Sequence, residues 1–349
     1  MSAFSKRLLD WHKDEGRKDL PWQQNITPYK VWISEIMLQQ TQVKTVIKYY
    51  NNWVKSFPTI NAVAKSDDQK ILRIWEGLGY YQRAHNIHQT SKTIVNQHNS
   101  KFPKEFNELI KLKGIGDYTA SAIMSIAYNK PYPAIDGNIK RVVARLQGVT
   151  NFKEIIKLSK KYVLKIMDYH NPSEINQALM DLGREICVSK APKCYKCPLK
   201  SICVARKTQS IEKYSIKANY SKKPIHDVIV GMIWKNNKIL ISKRKKEGLL
   251  GGLWELPGGK KNNQENHFEC LTREIYEELN IKVKINNNIG LIKHHYSHFG
   301  INMTGYHCDY KSGSPKAITS DEIKWIALDE IKRHPFPKAT LKLFLLAGY

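Results

Sequence analysis

Residues 187–203, CVSKAPKCYKCPLKSIC, place Cys187, Cys194, Cys197 and Cys203 at the spacing C-x6-C-x2-C-x5-C. A disulfide framework is the wrong reading, because a chain of 349 residues with six cysteines can build a core without covalent staples. Clustered thiols at such intervals read as metal ligands. Zinc ribbons usually offer two close C-x2-C pairs, and here only Cys194 and Cys197 form one. The spacing therefore favours a four-thiolate iron–sulfur site, with structural zinc as the alternative. Cys270 and Cys308 lie far away in sequence and read as ordinary packed thiols.

The chain changes character on either side of this stretch. Upstream, Pro28 to Lys55, Asp67 to Gln97, Thr119 to Ala127, Asn138 to Leu146 and Lys153 to Tyr169 recur at helical spacing, so that part is expected to be mostly α. Downstream, Lys207-Thr208-Gln209-Ser210 and Asn219 to Pro224 lack periodicity and end in a breaker, which predicts a linker at 208–225. Beyond it, Asp227 to Trp234, Lys238 to Ser242, Ile281 to Ile285 and Gly290 to His294 read as strands beside one strong helix, His267 to Leu279. The expected division is 1–207, linker 208–225, and 226–349, which suits the roughly 150 residues of a typical domain.

Charge and hydropathy narrow the partners. Lys and Arg number 57 against 31 Asp and Glu, a net charge of +26, and this excess favours nucleic acid through phosphate neutralisation and counterion release. Compositional bias toward Lys, Ile and Asn could produce part of the same excess. No apolar run reaches the roughly eighteen residues of a membrane span, and Met1 to Gly16 shows no signal-peptide core. A cytoplasmic protein without a membrane partner is expected.

A second informative stretch is Leu112-Lys113-Gly114-Ile115-Gly116-Asp117-Tyr118-Thr119-Ala120. Gly114 and Gly116 permit positive φ and let bare backbone N–H groups at a helix start approach a phosphate. Alone, such a turn more often marks an ordinary helix–helix connection. Followed by Pro133-Ala134-Ile135-Asp136-Gly137-Asn138 and the cysteine stretch, it becomes specific.

Taken with Leu20-Pro21-Trp22, Tyr29 to Thr41 and Gly77-Leu78-Gly79-Tyr80-Tyr81, these motifs make the chain resemble the helix–hairpin–helix DNA glycosylase superfamily. Within it, the resemblance is to the MutY-type adenine DNA glycosylases, over nearly the whole chain. It implies a multidomain protein: an all-α helix–hairpin–helix glycosylase domain with a [4Fe–4S] loop, followed by an α+β Nudix-like domain. It also implies a monomeric base-excision-repair enzyme whose partner is duplex DNA with adenine opposite 8-oxo-guanine or guanine.

Purine excision needs an acid to protonate the leaving base and a carboxylate to stabilise the cationic sugar. Glu35 and Asp136 fit these roles. On a helix Glu35 has Val31, Trp32 and Leu38 as neighbours, and desolvation there should keep it protonated. The resemblance makes it the donor to adenine N7. Asp136, just before the helical run Ile139 to Leu146, also reads as a helix cap, which would keep it ionised. The resemblance assigns it to the transition state and gives Asn138 the placing of the attacking water.

Tyr118 stands where endonuclease III-like bifunctional enzymes carry the lysine that forms a Schiff base. A monofunctional enzyme without a lyase step is therefore expected. Gln40, Leu78 and Tyr80 match family positions that wedge the duplex, although Tyr80 and Tyr81 also suit core packing. Lys190, Lys193, Lys196, Lys200, Arg206 and Lys207 make the cysteine loop a candidate phosphate contact.

In the C-terminal part, Gly259, Glu265, Arg273, Glu274, Glu277 and Glu278 fall into G-x5-E-x7-R-E-x-x-E-E, with Asn280 in place of the next glycine. Glu274, Glu277 and Glu278 share a helix face able to hold Mg2+ against a pyrophosphate, while Leu271, Ile275 and Leu279 line the other. The alternative function is therefore a Mg-dependent nucleotide pyrophosphohydrolase. Tyr296-Ser297-His298 matches the Phe-Ser-His loop of the family, with Tyr for Phe, and implies recognition of 8-oxo-guanine instead.

Overall fold

The computed structural model describes residues 3–168, 170–214, 223–296 and 299–349. Ser297, His298, Tyr169 and part of the expected linker lie outside the described residues. The chain forms two compact units, one from Met1–Lys65 and Gln89–Asn219, the other from Ser66–His88 and Tyr220–Tyr349. The segment 66–88 is therefore grouped with the C-terminal part, a division that one boundary in sequence does not express.

The first unit is helical among its described residues. The expected helix Pro28 to Lys55 is two helices, Pro28–Leu38 and Val43–Ser56. Gln40 separates them with a left-handed φ of 55°, and Thr27 starts the first by accepting from the Lys30 amide at 3.2 Å. The hairpin helix Asp117–Ala122 runs on into a wide π-helical turn, Ile123–Ala127. Asp136 caps the helix Gly137–Gln147, and Gly148 ends it at φ 71°, the left-handed stop that glycine allows without strain.

Among the helices that went unread in the sequence are Ala3–Glu15 and Pro172–Asp181, and both supply the core: Phe4, Leu8, Ile175, Ala178 and Leu179, spaced three or four apart on their helices, pack with Ile139, Val142, Val143, Val163 and Ile166. Cys187, Cys197 and Cys203 lie against the same cluster.

Asp67 to Gln97 is not one helix: Asp68–Trp75 and Gln82–Gln97 are separated by a turn with Gly77 at φ 91°, Gly79 at 78° and Tyr80 at 50°. In the second unit, the C-terminal part is built on a sheet. Seven strands form one sheet: β1 Ile225–Lys235, β2 Lys238–Lys243, β3 Trp254–Glu255, β4 Gly258–Lys260, β5 Ile281–His295, β6 Gly300–Gly313 and β7 Glu322–Ile326. The order is β3-β2-β1-β6-β5, with β4 paired to β1 and β7 to β2. Only β1 and β6 run parallel.

The two strands expected at 281–285 and 290–294 are one, because register shifts around Asn288 absorb the interruption. Side chains alternate across β1: Ile229 and Ile233 face Leu271, Ile275 and Leu279 of the helix His267–Leu279. Val230 and Met232 face Phe336, Leu343 and Phe344, the last two on the helix Lys338–Leu346. Period-two burial thus gives a sheet covered on both sides. Cys270 and Cys308 are buried thiols in that core.

Candidate active site and cysteine site

Glu35 lies in the interior of the helix Pro28–Leu38, where seven other residues are also buried. It is 6% exposed. Burial pushes its carboxyl up to about 7, opposed by the hydrogen bond from Tyr118 and assisted by the charge of Asp136. The Tyr118 hydroxyl donates to Glu35 Oε2 at 2.6 Å. The hairpin thus delivers a phenol, carried on the helix Asp117–Ala122, directly to the acid.

Asp136 is held differently. Its Oδ1 accepts from the Ile139 amide at 2.7 Å and its Oδ2 from Asn138 Nδ2 at 2.7 Å. Burial still raises its pKa above the ordinary Asp value, with those donors and Arg141 pulling the other way. The cap expected from the sequence is present, but capping does not cancel desolvation. Arg141 fixes the neighbour: one guanidinium donates to Asn138 Oδ1 at 2.8 Å, the Gly183 carbonyl at 2.6 Å and the Cys187 carbonyl at 2.7 Å.

Glu35 forms a wall common to two cavities. One, about 80 Å3, is lined by Leu20, Trp22, Ile26, Val31, Gln177 and Asp181 among others. The other, about 440 Å3, is lined by Gln40, Tyr118, Asp136, Asn138 and Arg184 with Glu35. An apolar chamber ending in an amide and a carboxylate suits a flat heterocycle; the wider polar one suits sugar and phosphate. Sequence reading missed Gln177, Asp181, Arg184 and Arg141. The signal for the first three was Asn171-Pro172: Asn171 caps its helix by accepting from the Ser173 and Glu174 amides.

Gln40 is exposed and joins the wider cavity, while Leu78 and Tyr80 belong to the other unit. Leu78 is 6% exposed. Of the hairpin glycines, Gly114 has a left-handed φ of 79° and Gly116 is extended, as the residue before the helix. Asp117 begins that helix, where the dipole favours an acid, and pairs with Lys160 at 3.5 Å.

The four thiols line one cavity of about 30 Å3 with Arg145, Lys200 and Arg206. Burial pushes Cys197 up to about 11 and raises Cys203, so thiolates there need a cation to hold them. Arg145 donates to Cys187 Sγ at 3.4 Å and to the Val188 carbonyl at 2.7 Å. Among the described residues no three His, Cys, Asp or Glu side chains are grouped closely enough for one ion. An all-sulfur donor set spread around a cavity fits a multi-iron cluster better than one zinc at about 2.3 Å from each sulfur. Lys190, Lys193, Lys196, Lys200, Arg206 and Lys207 are all exposed.

Regions of the chain match two family models, the HhH-GPD superfamily base excision DNA repair protein over residues 33–165 and the NUDIX domain over residues 229–346. Adenine DNA glycosylase of Buchnera aphidicola subsp. Acyrthosiphon pisum (strain APS) is 38% identical over 300 residues, 85% of this chain and 83% of that protein. The chain belongs to the adenine DNA glycosylase family. Another such glycosylase, from Buchnera aphidicola subsp. Baizongia pistaciae (strain Bp), is 40% identical over 302 residues, with 85% and 83% covered. The solved structure of a thermostable thymine-DNA glycosylase is similar with TM-score 0.55 and 25% identity, covering 59% of this chain and 95% of that one.

The C-terminal unit of this family member holds a third cavity, about 330 Å3, lined by Arg244, Glu255, Lys260, Glu278, Tyr296 and Phe299 among others. The ring centres of Tyr296 and Phe299 stand 5.0 Å apart, and the Tyr296 amide donates to the Phe299 carbonyl at 2.8 Å. Of the three box carboxylates, Glu274 and Glu277 are engaged by Arg273 at 2.9 and 3.1 Å. Glu278 accepts from the Gly258 amide at 3.1 Å, and burial pushes it up to about 7.

Proposed function

We propose that this chain hydrolyses the N-glycosidic bond of adenine opposite 8-oxo-guanine or guanine in duplex DNA and leaves the strand intact. The contact between Tyr118 and Glu35 beside Asp136 carries this reading. With its carboxyl near 7, Glu35 is protonated in a large fraction of molecules at neutral pH and can donate to N7 of a flipped adenine. Asp136, supplied with an amide N–H and the Asn138 side chain, is the carboxylate that faces the oxocarbenium ion. Asn138, oriented by Arg141, places the attacking water. A phenol cannot form a Schiff base, so Tyr118 supports hydrolysis without strand cleavage.

Gln40, Leu78 and Tyr80 would fill the gap left by the flipped base, with the amides at Gly114 and Gly116 and the exposed cations near the cysteines taking phosphates. Cys187, Cys194, Cys197 and Cys203 would hold a [4Fe–4S] cluster, which when bound cross-links that basic loop. Tyr296, with Ser297 and His298, would read the 8-oxo-guanine. Glu274, Glu277 and Glu278 keep the sequence spacing of a Mg2+ site but are not grouped for one ion, and Arg273 engages the first two, which supports a structural helix rather than hydrolysis. No helix among the described residues is long and apolar enough to cross a membrane; a monomeric cytoplasmic enzyme on nucleoid DNA is the reading that the family resemblance supports.

The test is a duplex with adenine opposite 8-oxo-guanine, assayed for strand breaks with and without alkali. Breaks at the adenine should need alkali. Intact DNA after treatment with cluster-loaded enzyme refutes the assignment, and efficient borohydride trapping refutes the monofunctional part.

A further inference from the structure

The segment Ser66–His88 carries the turn Gly77–Tyr81 and is joined to the C-terminal part by specific polar contacts. Gln69 uses both ends of its amide: Nε2 donates to the Gly252 carbonyl at 3.0 Å, and Oε1 accepts from Trp254 Nε1 at 2.8 Å. His85 Nε2 meets the Gly251 carbonyl at 2.9 Å, so that nitrogen carries the proton. Lys246 donates to Asp68 at 2.6 Å, and the Phe336 amide to Glu76 at 2.8 Å. Gly252 sits at φ 75°, where a Cβ would come within 3.1 Å of Leu72 and 3.4 Å of His85. The joint is close-packed and reads backbone atoms, so it fixes position.

Both ends of this joint lead to recognition elements. On one side, residues 249–256 are shared with the cavity that Tyr296 lines, through Leu249, Leu250, Glu255 and Leu256. On the other, the turn is internally stiff: Trp75 Nε1 donates to the Gly79 carbonyl at 2.9 Å, the Gly77 amide to the Tyr81 hydroxyl at 3.0 Å, and Arg83 to the Gly79 carbonyl at 3.1 Å. The Arg83 guanidinium also lies 5.2 Å from the Trp75 ring centre and 5.3 Å from that of Tyr80. A displacement of 251–254 has little slack to be lost in before it reaches Leu78 and Tyr80.

We propose that Gln69 and His85 are positioning residues that couple the Tyr296 cavity to the turn Gly77–Tyr81, so that the base opposite adenine governs insertion of Leu78 and Tyr80. This rests on the proposed roles of Tyr296 and of the wedge. Neither Gln69 nor His85 touches the reacting atoms. Their effect belongs in discrimination between opposing bases, not in the chemical step common to all substrates.

The full-length chain carrying Gln69→Ala and His85→Ala is compared with the unvaried chain in single-turnover excision of adenine opposite 8-oxo-guanine and opposite guanine. A 2-aminopurine beside the target reports unstacking. Losing hydrogen bonds worth about one tenfold factor should slow the 8-oxo-guanine substrate about tenfold and leave the guanine substrate within about twofold. The unstacking signal should fall in parallel. Gln69→Leu, which keeps about the side chain's size and removes both of its hydrogen bonds, should shift the ratio in the same direction and serves if the double variant does not fold. An unchanged ratio in either folded variant, or equal slowing of both substrates, overturns the proposal. If the unvaried chain itself shows no preference for 8-oxo-guanine, the lesion-reading assignment fails first and the coupling falls with it.

Discussion

Replacing Tyr118 by Phe removes one hydroxyl from the centre of the site and makes a signed prediction. The carboxyl of Glu35 stands at about 7 because burial outweighs the hydrogen bond that Tyr118 donates to it. That bond favours the ionised form, so its loss must raise the pKa further. A hydrogen bond to a charged partner is worth about 1.5–3 kcal/mol, and each pKa unit corresponds to about 1.36 kcal/mol. Because the protonated acid also keeps some interaction with the phenol, the shift should be about one unit rather than two.

In the proposed mechanism excision needs protonated Glu35 and ionised Asp136, so the rate should fall at low pH as Asp136 takes a proton and fall again above the pKa of Glu35. The second fall should begin near 7 in the unvaried chain and about one unit higher in the variant. The assay is single-turnover excision at subsaturating enzyme, which reports the free protein. A lower plateau is compatible with the reasoning, since Tyr118 also positions the acid. A basic limb that stays in place or moves to lower pH refutes it.

Glu35→Gln should abolish excision and change stability in a pH-dependent way. A carboxyl raised from 4.5 to about 7 by folding gives stability that is complete below 4.5 and lost as pH rises through 7. Removing it should therefore stabilise the protein by about 3 kcal/mol at pH 8 and very little at pH 4, read from urea unfolding; equal effects at both pH values count against the burial account. Gly183→Ala would place a Cβ 2.6 Å from Asn138 Cβ and 3.1 Å from its backbone. Overpacking should cost about 1–3 kcal/mol and, by displacing Asn138, slow excision about tenfold or more while leaving duplex affinity intact; an unaffected rate removes Asn138 from the mechanism.

Much of the fold could be read because its signals are local. The burial of Glu35 follows from Val31, Trp32 and Leu38 sharing its turns, and the cap from Asp136 standing before a periodic run. Leu271, Ile275 and Leu279 announced the buried side of their helix by spacing alone. What stayed hidden depends on contacts distant in sequence. Gln177 and Asp181 face the site only because Ala3–Glu15 packs beside their helix; Arg17, just beyond that helix, pairs with Asp181, its amide donating to Asp181 Oδ2 at 3.1 Å. Strand β6 lacks a clean alternation because both its faces are covered, as the buried run Met303 to Tyr306 shows. The breaks at Gln40 and Tyr80 rest on left-handed backbone in residues that rarely adopt it.

The division of labour proposed for the two carboxylates is supported by how many donors each receives. Burial raises both, so burial alone would leave two neutral acids and no stabiliser for a cation. Asp136 has two hydrogen bonds to its oxygens, each at 2.7 Å, whereas Glu35 has the single phenol. The extra donors oppose the rise more at Asp136 than the phenol does at Glu35, which is the direction that acid catalysis with a neighbouring anion requires. One of those two donors is itself fixed from the cysteine stretch, because Arg141 grips Asn138, Gly183 and Cys187 with one guanidinium. A rigid fork can hold three such acceptors at fixed angles, and a lysine ammonium on a flexible stem cannot. The sulfur site therefore need not take part in the reaction to affect it: whatever steadies the backbone at Cys187 also steadies the Asn138 amide, whose hydrogen bond opposes the rise that burial gives the Asp136 carboxyl.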